Sequence, residues 1–247
     1  MRAGDVRTVM WKEMRELVDT LTGGSRTQLI VLAFVGLFFG VVTPLRQGAA
    51  WLTSGTAAFS YALIGMVLLM QPIADVFAGE RERHTLETLL STRLDDGSIL
   101  IGKLLGVLAP AWVATAFIYL VAIVATNVEF GDGHLLLPPL WSAGTTLAAI
   151  VLVPGLMAAI GVNTSMRADT VRKAAQTLSL FVMALVFAPL IASRLVPHAW
   201  LTSLLSALAG HTPAQVGLLV GAGLLVLDVA IVMVALARFR RGRLALD

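Results

Sequence analysis

The chain has 247 residues, of which 57% are hydrophobic and 13% are charged, with a formal net charge of +3 and a mean hydropathy of +0.86. This composition indicates an integral membrane protein and gives no separate support to nucleic-acid binding. There is no cysteine, which excludes disulfides, thiolate metal sites and catalysis by a thiol. At about 20 residues per span, the whole chain, residues 1–247, is predicted to be one membrane domain.

Residues 1–26 are predicted to contain an amphipathic helix. Apolar residues recur at helical spacing from Val6 to Leu21, and the other side carries charged residues such as Lys12 and Arg15. With Trp11 as an anchor, the pattern predicts an elbow helix that lies in the membrane interface. The alternative is a soluble amphipathic helix that docks on a partner.

Six apolar segments of membrane-spanning length follow, delimited by charges and prolines. They are Thr27–Leu45, Trp51–Ile73, Ile99–Thr126, Pro139–Val162, Thr177–Val196 and Gln215–Ala237. Sixteen of the 18 Lys and Arg residues fall in the termini and in alternate loops, and only Arg46 and Arg194 fall in the other loops. By the positive-inside rule, both termini are predicted to lie on the cytoplasmic side. The membrane is predicted to be the inner (cytoplasmic) membrane of the cell.

The loop between the second and third spans, Gly79 to Thr92, reads GERERHTLETLLST and is charged and prone to helix formation. We name residues 79–92 the cassette. Its leucines, Leu86, Leu89 and Leu90, share one helical face, and its charged residues lie elsewhere, which suits a groove on another protein. From the residues alone, a solvated connector is an equally good interpretation.

A sequence just after the cassette resembles a nucleotide-binding motif. Residues 97–104 match the phosphate loop G-x-x-x-x-G-K-[ST] except at Leu104, which has no hydroxyl to hold magnesium. The preceding segment is helical instead of a strand. We therefore predict that this chain binds no nucleotide.

Three further segments between the spans contain candidate features. In the third loop, Glu129, Asp132 and His134 accompany two glycines, so a solvated turn is favoured over a cation site, and no metal site is predicted. The loop 164–173 carries Arg167, Asp169 and Arg172, which either contact a partner or only set the topology. Residues 197–213 contain an apolar helix too short to cross, and predict an outer re-entrant segment.

Polar and small residues within the spans indicate a candidate binding residue and two candidate helix-packing sites. Asp228 lies near the middle of the sixth span, where a carboxylate is costly; it either contacts a substrate or cation or makes a structural hydrogen bond. Gly36 with Gly40, and Gly217 with Gly221, form small-xxx-small pairs that pack against another helix of the same subunit or of a second copy.

The order of residues in the cassette resembles a known family. The pattern Glu80-x-Glu82-x-x-Thr85-Leu86-Glu87-x-Leu89-Leu90, followed by Ile101-Gly102-Lys103, is similar to the signature of ABC-2 type transporter permeases, most of all stand-alone sodium- or drug-efflux permeases. His84 and Arg93 stand where the family often has glycine and proline, and neither is expected to break the helix.

The resemblance implies an all-α fold of six spans with an elbow helix, a coupling helix over 79–92 and an outer re-entrant helix. It implies that two copies of the chain, surrounded by lipid, combine with two ATPase subunits that bind ATP and Mg. The expected ATPase contacts are Glu80, Arg81, Glu82, His84, Thr85, Leu86, Glu87, Leu89 and Leu90, with Arg167, Asp169 and Arg172 as a second contact. The first span, with Gly36 and Gly40, is expected at the dimer seam.

The function implied is that of a permease subunit of an ATP-driven exporter without catalysis of its own. Few fixed charges lie within the spans, which favours a hydrophobic or amphiphilic substrate such as a drug or lipid. Sodium efflux is the alternative within the family. An intramembrane enzyme is disfavoured because the four histidines are scattered over loops, and an ATP-independent channel would leave the cassette without a purpose.

Overall fold

The computed structural model describes residues 3–22, 26–85, 91–195, 200, 203 and 210–239, and these are helical apart from short turns and connections. The helices are α1 (Ala3–Thr22), α2 (Arg26–Leu37), α3 (Thr43–Gln47), α4 (Gly55–Glu82), α5 (Asp96–Phe130), α6 (Leu140–Ser165), α7 (Val171–Leu195) and α8 (Pro213–Arg238). A π-helical turn, Phe38–Val42, joins α2 to α3, and a 3₁₀ turn, Ala49–Thr53, precedes α4.

Six helical stretches are long and apolar enough to cross a membrane, which confirms the predicted number of spans. They are Ile30–Gln47, Gly55–Glu82, Asp96–Phe130, Leu140–Ser165, Val171–Ala188 and Pro213–Arg238. The second differs from its predicted bounds, because Trp51 belongs to the preceding 3₁₀ turn and α4 continues nine residues past Ile73. The chain is a multi-pass membrane protein.

The core lies between α4, α5 and α6. In the most apolar stretch of α4, 61% of residues are buried, against 11% in the stretches of α2 and α7 and 6% in that of α8. The outer helices therefore present their apolar side chains to lipid or to another protein. Where the chain enters α4, the rings of Trp51, Tyr61 and Tyr119 pack at centroid distances of 5.2–5.9 Å.

The amphipathic helix predicted at the N-terminus is present as α1, which packs against the first turns of α5. Val9 is buried there, beside Gly102. A Cβ atom on Gly102 would lie 2.6 Å from Cβ of Val9, and one on Gly106 would lie 2.5 Å from Cβ of Glu13. These glycines allow the two helices to approach closely. The location of α1 in the membrane interface stays a prediction.

The predicted helix over 79–92 does not begin at Gly79. Residues Gly79 to Glu82 are the last turn of α4, which ends there, and His84 has a φ of +56°. The expectation that His84 leaves the helix unbroken is therefore wrong, because the left-handed conformation ends an α-helix. A glycine at this position would adopt the same conformation without steric cost. Residues 86–90 lie outside the described residues.

The predicted re-entrant segment 197–213 also lies largely outside the described residues and stays a prediction. Its last residue begins α8 as Pro213. Thr212 caps this helix: its hydroxyl accepts from the amide of Gln215, and the Gln215 side chain accepts from the amide of Thr212. Such a capping box, with proline in the first turn, fixes where the last span starts.

Candidate functional site

Three charged residues meet inside the bundle where α1, α4 and α5 come together. Nζ of Lys103 on α5 lies 2.6 Å from Oε1 of Glu13 on α1 and 3.2 Å from Oε1 of Glu80 on α4. We name Glu13, Glu80 and Lys103 the ion cluster. Lys103 is 1% exposed and Glu80 is 7% exposed. One cation therefore connects three helices.

Burial makes the ion cluster sensitive to the loss of any member. A buried charge needs compensation, and removal of one partner leaves the other uncompensated. The Thr85 hydroxyl donates a hydrogen bond to the Glu80 carboxylate, and Lys12 lies 4.0 Å from the same carboxylate. Burial works against the charged form of Lys12, but Glu16 and Glu80 outweigh it and raise the pKa of Lys12.

The end of α4 is also bonded to the loop between α6 and α7. The two terminal nitrogens of Arg81 donate to the carbonyl oxygens of Ala168 and Met166 at 2.9 and 3.0 Å. The carboxylate of Glu82 accepts from the amide of Val171 at 3.0 Å, at the N-terminus of α7, where a negative charge is favoured. The predicted cassette and the predicted second contact are therefore parts of one connected surface.

Deeper in the bundle, Ser165 at the end of α6 strengthens this connection. Its hydroxyl oxygen accepts from the amides of Phe77 and Ala78 at 3.0 Å and donates to the carbonyl of Ala74 at 2.8 Å. All of these groups are buried. The last turns of α4 are thus fixed to α6 by hydrogen bonds between the Ser165 hydroxyl and the α4 backbone, as well as by packing.

The predicted ATPase-contact residues divide into three groups. Glu80 is buried in the ion cluster and Arg81 is half-buried against the α6–α7 loop, whereas Glu82, His84 and Thr85 are exposed. In the α6–α7 loop and at the start of α7, Arg167, Asp169 and Arg172 are exposed, and Lys173 lies 2.8 Å from Asp169, which lowers the pKa of Asp169. Four members, Leu86, Glu87, Leu89 and Leu90, lie outside the described residues.

A cavity of about 1280 Å³ opens beside the ion cluster, between α1, α2, α4 and α5. We name it the large cavity. Its walls within the spans are mostly apolar, and its mouth is charged. The lining includes Val31, Leu32, Val35, Phe39, Leu63 and Leu68 within the spans, Lys12, Glu16, Asp75 and Arg83 at the mouth, and the buried ion cluster behind them. Arg83 pairs with Asp75 at 3.1 Å, so the mouth carries both signs of charge.

Asp228 lies on α8 where α8 faces Gly155 of α6. A Cβ atom on Gly155 would be 3.1 Å from Oδ2 of Asp228, so the missing side chain makes room for the carboxyl group. Oδ1 of Asp228 is buried and has no hydrogen-bond partner among the described residues. Within those residues, no three His, Cys, Asp or Glu side chains are grouped closely enough to bind a metal ion.

The glycine pairs singled out in the sequence have different surroundings. Gly40 is buried against Ile118 and Val121 of α5, and Gly217 faces Thr145 of α6, so both pack within the subunit. Gly36 has open space around it. Of the two residues expected at a dimer seam, only Gly36 is free to meet a second copy.

Sequence reasoning missed the roles of Glu13 and Lys103. By sequence, Lys103 is one of the charges assigned to the loops, and both Gly102 and Lys103 belong to the apparent phosphate loop and to the family pattern, none of which indicates a buried ion pair. A lysine that follows Ile99, Leu100 and Ile101 is a cation inside an apolar run, which predicts a buried partner. The identity of that partner, 90 residues earlier in the chain, depends on the packing of α1.

Comparison with known proteins agrees with this architecture. A model of the family described as ABC-2 family transporter protein matches residues 52–241. The ABC transporter permease protein NatB of Bacillus subtilis is 30% identical over 156 residues. That match covers 58% of this chain and 40% of NatB, so the chain matches less than half the length of this relative. On the family match over most of its length, the chain belongs to the ABC-2 family of transporter proteins.

Proposed function

We propose that this chain is the permease subunit of an ATP-driven exporter that moves a hydrophobic or amphiphilic molecule. A separate ATPase subunit binds ATP and Mg, and two copies of each subunit assemble in the cytoplasmic membrane with the permease termini in the cytoplasm. The observation that carries the proposal is the large cavity, which combines apolar walls with a charged mouth at the end of the bundle where the cassette lies.

The lining of the large cavity suits an amphiphile better than a bare ion. Sites for small organic ligands usually measure about 300–1,000 Å³ and are mostly apolar with a few placed polar groups. The charges at the mouth are paired, as with Arg83 and Asp75, and would bind a polar head without a strong preference for one sign. Leu63, Leu68 and Phe39 offer no oxygen ligands to replace the hydration of a cation.

The coupling role is proposed for the connected surface formed by the cassette and the α6–α7 loop. Exposed residues, among them His84, Thr85, Asp169 and Arg172, are available to an ATPase. Behind them, Arg81 and Glu80 connect that surface to α5, α6 and α1. In this proposal Glu80 is a positioning residue, because its carboxylate is buried and lies beside Lys103.

Transport by reconstituted vesicles tests the proposal. The permease is co-expressed with an ATPase subunit and reconstituted with a fluorescent amphiphilic dye. Leu68→Trp places a larger side chain in the large cavity and is expected to reduce ATP-driven dye movement. Leu120→Trp makes the same substitution on the exposed side of α5, where Leu120 is 59% exposed, and should leave transport unchanged. Equal transport by both variants would remove the large cavity from the pathway.

The second copy is proposed to meet the open face of α2. Phe34 and Leu37 are 64% and 59% exposed there, next to Gly36. The chain has no cysteine, so single cysteines report contacts directly. Gly36→Cys should form a disulfide-linked dimer on mild oxidation. Gly223→Cys, at an open position on α8, should remain monomeric on the same gel; the reverse result would place the seam at α8.

Sodium efflux is the second candidate function, and Oδ1 of Asp228, which has no hydrogen-bond partner in the described part of the chain, favours it. A carboxyl oxygen of this kind is a natural cation ligand. The test is ATP-driven sodium flux in the same vesicles. Sodium flux that Asp228→Asn abolishes would replace the amphiphile proposal, whereas dye transport that survives Asp228→Asn without sodium flux would support it.

A further inference from the structure

A second cavity, of about 460 Å³, lies between α6, α7 and α8 and shares no lining residue with the large cavity. Three basic side chains line it, Arg167, Lys173 and Arg238, and none of its described lining residues is acidic. It opens at the end of the bundle that carries the α6–α7 loop. We name it the basic pocket.

Two of the three cations in the basic pocket lack an ion-pair partner within the described ranges. Lys173 lies 2.8 Å from Asp169, but Arg167 and Arg238 form no ion pair with any described residue. Two guanidinium groups at the rim of one pocket favour an anion, and guanidinium binds phosphate oxygens in a bidentate manner. The charge of the pocket therefore indicates a phosphate-bearing ligand.

The neutral polar groups of the basic pocket indicate a second property of its ligand. The hydroxyls of Thr164 and Thr177 donate to the carbonyls of Ile160 and Lys173 at 3.0 Å. The amide nitrogen of Asn163 donates to Ala159 at 2.9 Å. Oδ1 of Asn163 is buried and accepts no hydrogen bond from the described residues. A ligand with a hydroxyl donor next to its phosphate would satisfy this oxygen.

The remaining wall of the basic pocket is apolar. Ile160 comes from α6, and Ile231 and Val234 come from α8, whose surface is almost entirely uncovered. Val234 is 45% exposed. A basic pocket between spans, with an apolar wall that leads along an uncovered helix, is the arrangement that accepts a phospholipid headgroup and the start of its acyl chains.

We infer that the basic pocket binds an anionic phospholipid with a hydroxyl-bearing headgroup. Its phosphate lies beside Arg167 and Arg238, the headgroup hydroxyl donates to Oδ1 of Asn163, and the acyl chains follow Ile231 and Val234. This gives Arg167 a lipid contact in place of the ATPase contact expected from the sequence. A free phosphate ion would leave the apolar wall unused.

Lipid retention by the full chain tests the inference. Protein purified in a neutral detergent is exchanged into nanodiscs of phosphatidylcholine with or without phosphatidylglycerol, and native mass spectrometry counts the lipids retained after release. The wild type should retain phosphatidylglycerol over phosphatidylcholine, and Arg167→Gln with Arg238→Gln should reduce that retention about 10- to 30-fold, given the usual contribution of each basic residue.

The control is Arg7→Gln with Arg15→Gln, which makes the same charge change on exposed residues of α1 and should retain the lipid. Arg167→Lys with Arg238→Lys preserves the charge and should retain most of it, which separates lost binding from misfolding. Asn163→Val should abolish the preference for phosphatidylglycerol over phosphatidylmethanol, an anionic phosphodiester lipid whose headgroup has no hydroxyl. Undiminished retention by the double Gln variant, or equal binding of inorganic phosphate in phosphatidylcholine nanodiscs, would overturn the inference.

Discussion

Lys103 and Glu13 form an ion pair of 2.6 Å between the third span and the N-terminal helix. They are 90 residues apart in the chain, and both side chains are largely removed from water. The pair fixes the register of α1 on α5, because sliding one helix along the other by a turn would separate the two charged groups. Gly102 and Gly106 then allow the backbones to approach on either side of Lys103.

Lys103→Met is expected to destabilise the protein strongly, because it leaves the carboxylates of Glu13 and Glu80 close together without a cation. Breaking a buried pair in this way usually costs about 3–5 kcal/mol. The measurement is thermal unfolding of the purified protein. Lys12→Met removes a half-exposed lysine that lies 4.0 Å from the Glu80 carboxylate and should lower stability by less than about 1 kcal/mol. Equal losses of stability in the two variants would contradict the conclusion that Lys103 is the main cation that compensates Glu13 and Glu80.

Gly102→Ala is expected to displace α1, because the added methyl group would lie 2.6 Å from Cβ of Val9. Gly144→Ala is the matched control on α6, where a Cβ atom meets nothing within 4 Å. There the substitution should be neutral or stabilise the helix by up to about 1 kcal/mol. Limited proteolysis of α1 and thermal unfolding measure the difference. Protection of α1 in Gly102→Ala equal to the wild type would refute the close packing.

Glu82→Ala is expected to increase amide hydrogen exchange at Val171. The Glu82 carboxylate accepts from this amide at 3.0 Å, and hydrogen bonds to charged groups contribute about 1.5–3 kcal/mol, so exchange should rise about tenfold or more. The amide of Lys173 provides the internal control, since it donates to Thr170 and does not contact Glu82. Unchanged exchange at Val171 would show that the cassette and α7 are not joined.

His84→Gly is expected to be neutral or stabilising, and His84→Val to be destabilising by about 1–2 kcal/mol. His84 has a φ of +56°, a conformation that glycine adopts freely and that a β-branched residue strongly disfavours. Thermal unfolding of the two variants, compared at the same position, measures the effect. A stable His84→Val variant would show that the turn at the end of α4 can adopt another conformation.

The number of spans could be predicted because each apolar segment is long and is bounded by charges. The cassette could be recognised from its charges and leucines, but the start of its helix could not be predicted. The pattern fits a helix that begins at Gly79, whereas α4 continues to Glu82 and the chain turns at His84. Helix boundaries depend on local backbone conformation that hydropathy does not record. The pairing of Lys103 with Glu13 depends on long-range packing, which no local pattern contains.

The length of α4 has a mechanical consequence. It is one helix of 28 residues, from the aromatic rings beside Tyr61 to the ion cluster at Glu80, and at 1.5 Å per residue it measures about 42 Å. If such a rod pivots about one end by about 5°, its other end moves by roughly 4 Å. A rotation of α4 about the turn that contains Arg81 thus becomes a displacement of atomic size at the opposite end of the helix, provided that Pro72, inside α4, does not act as a joint and absorb it.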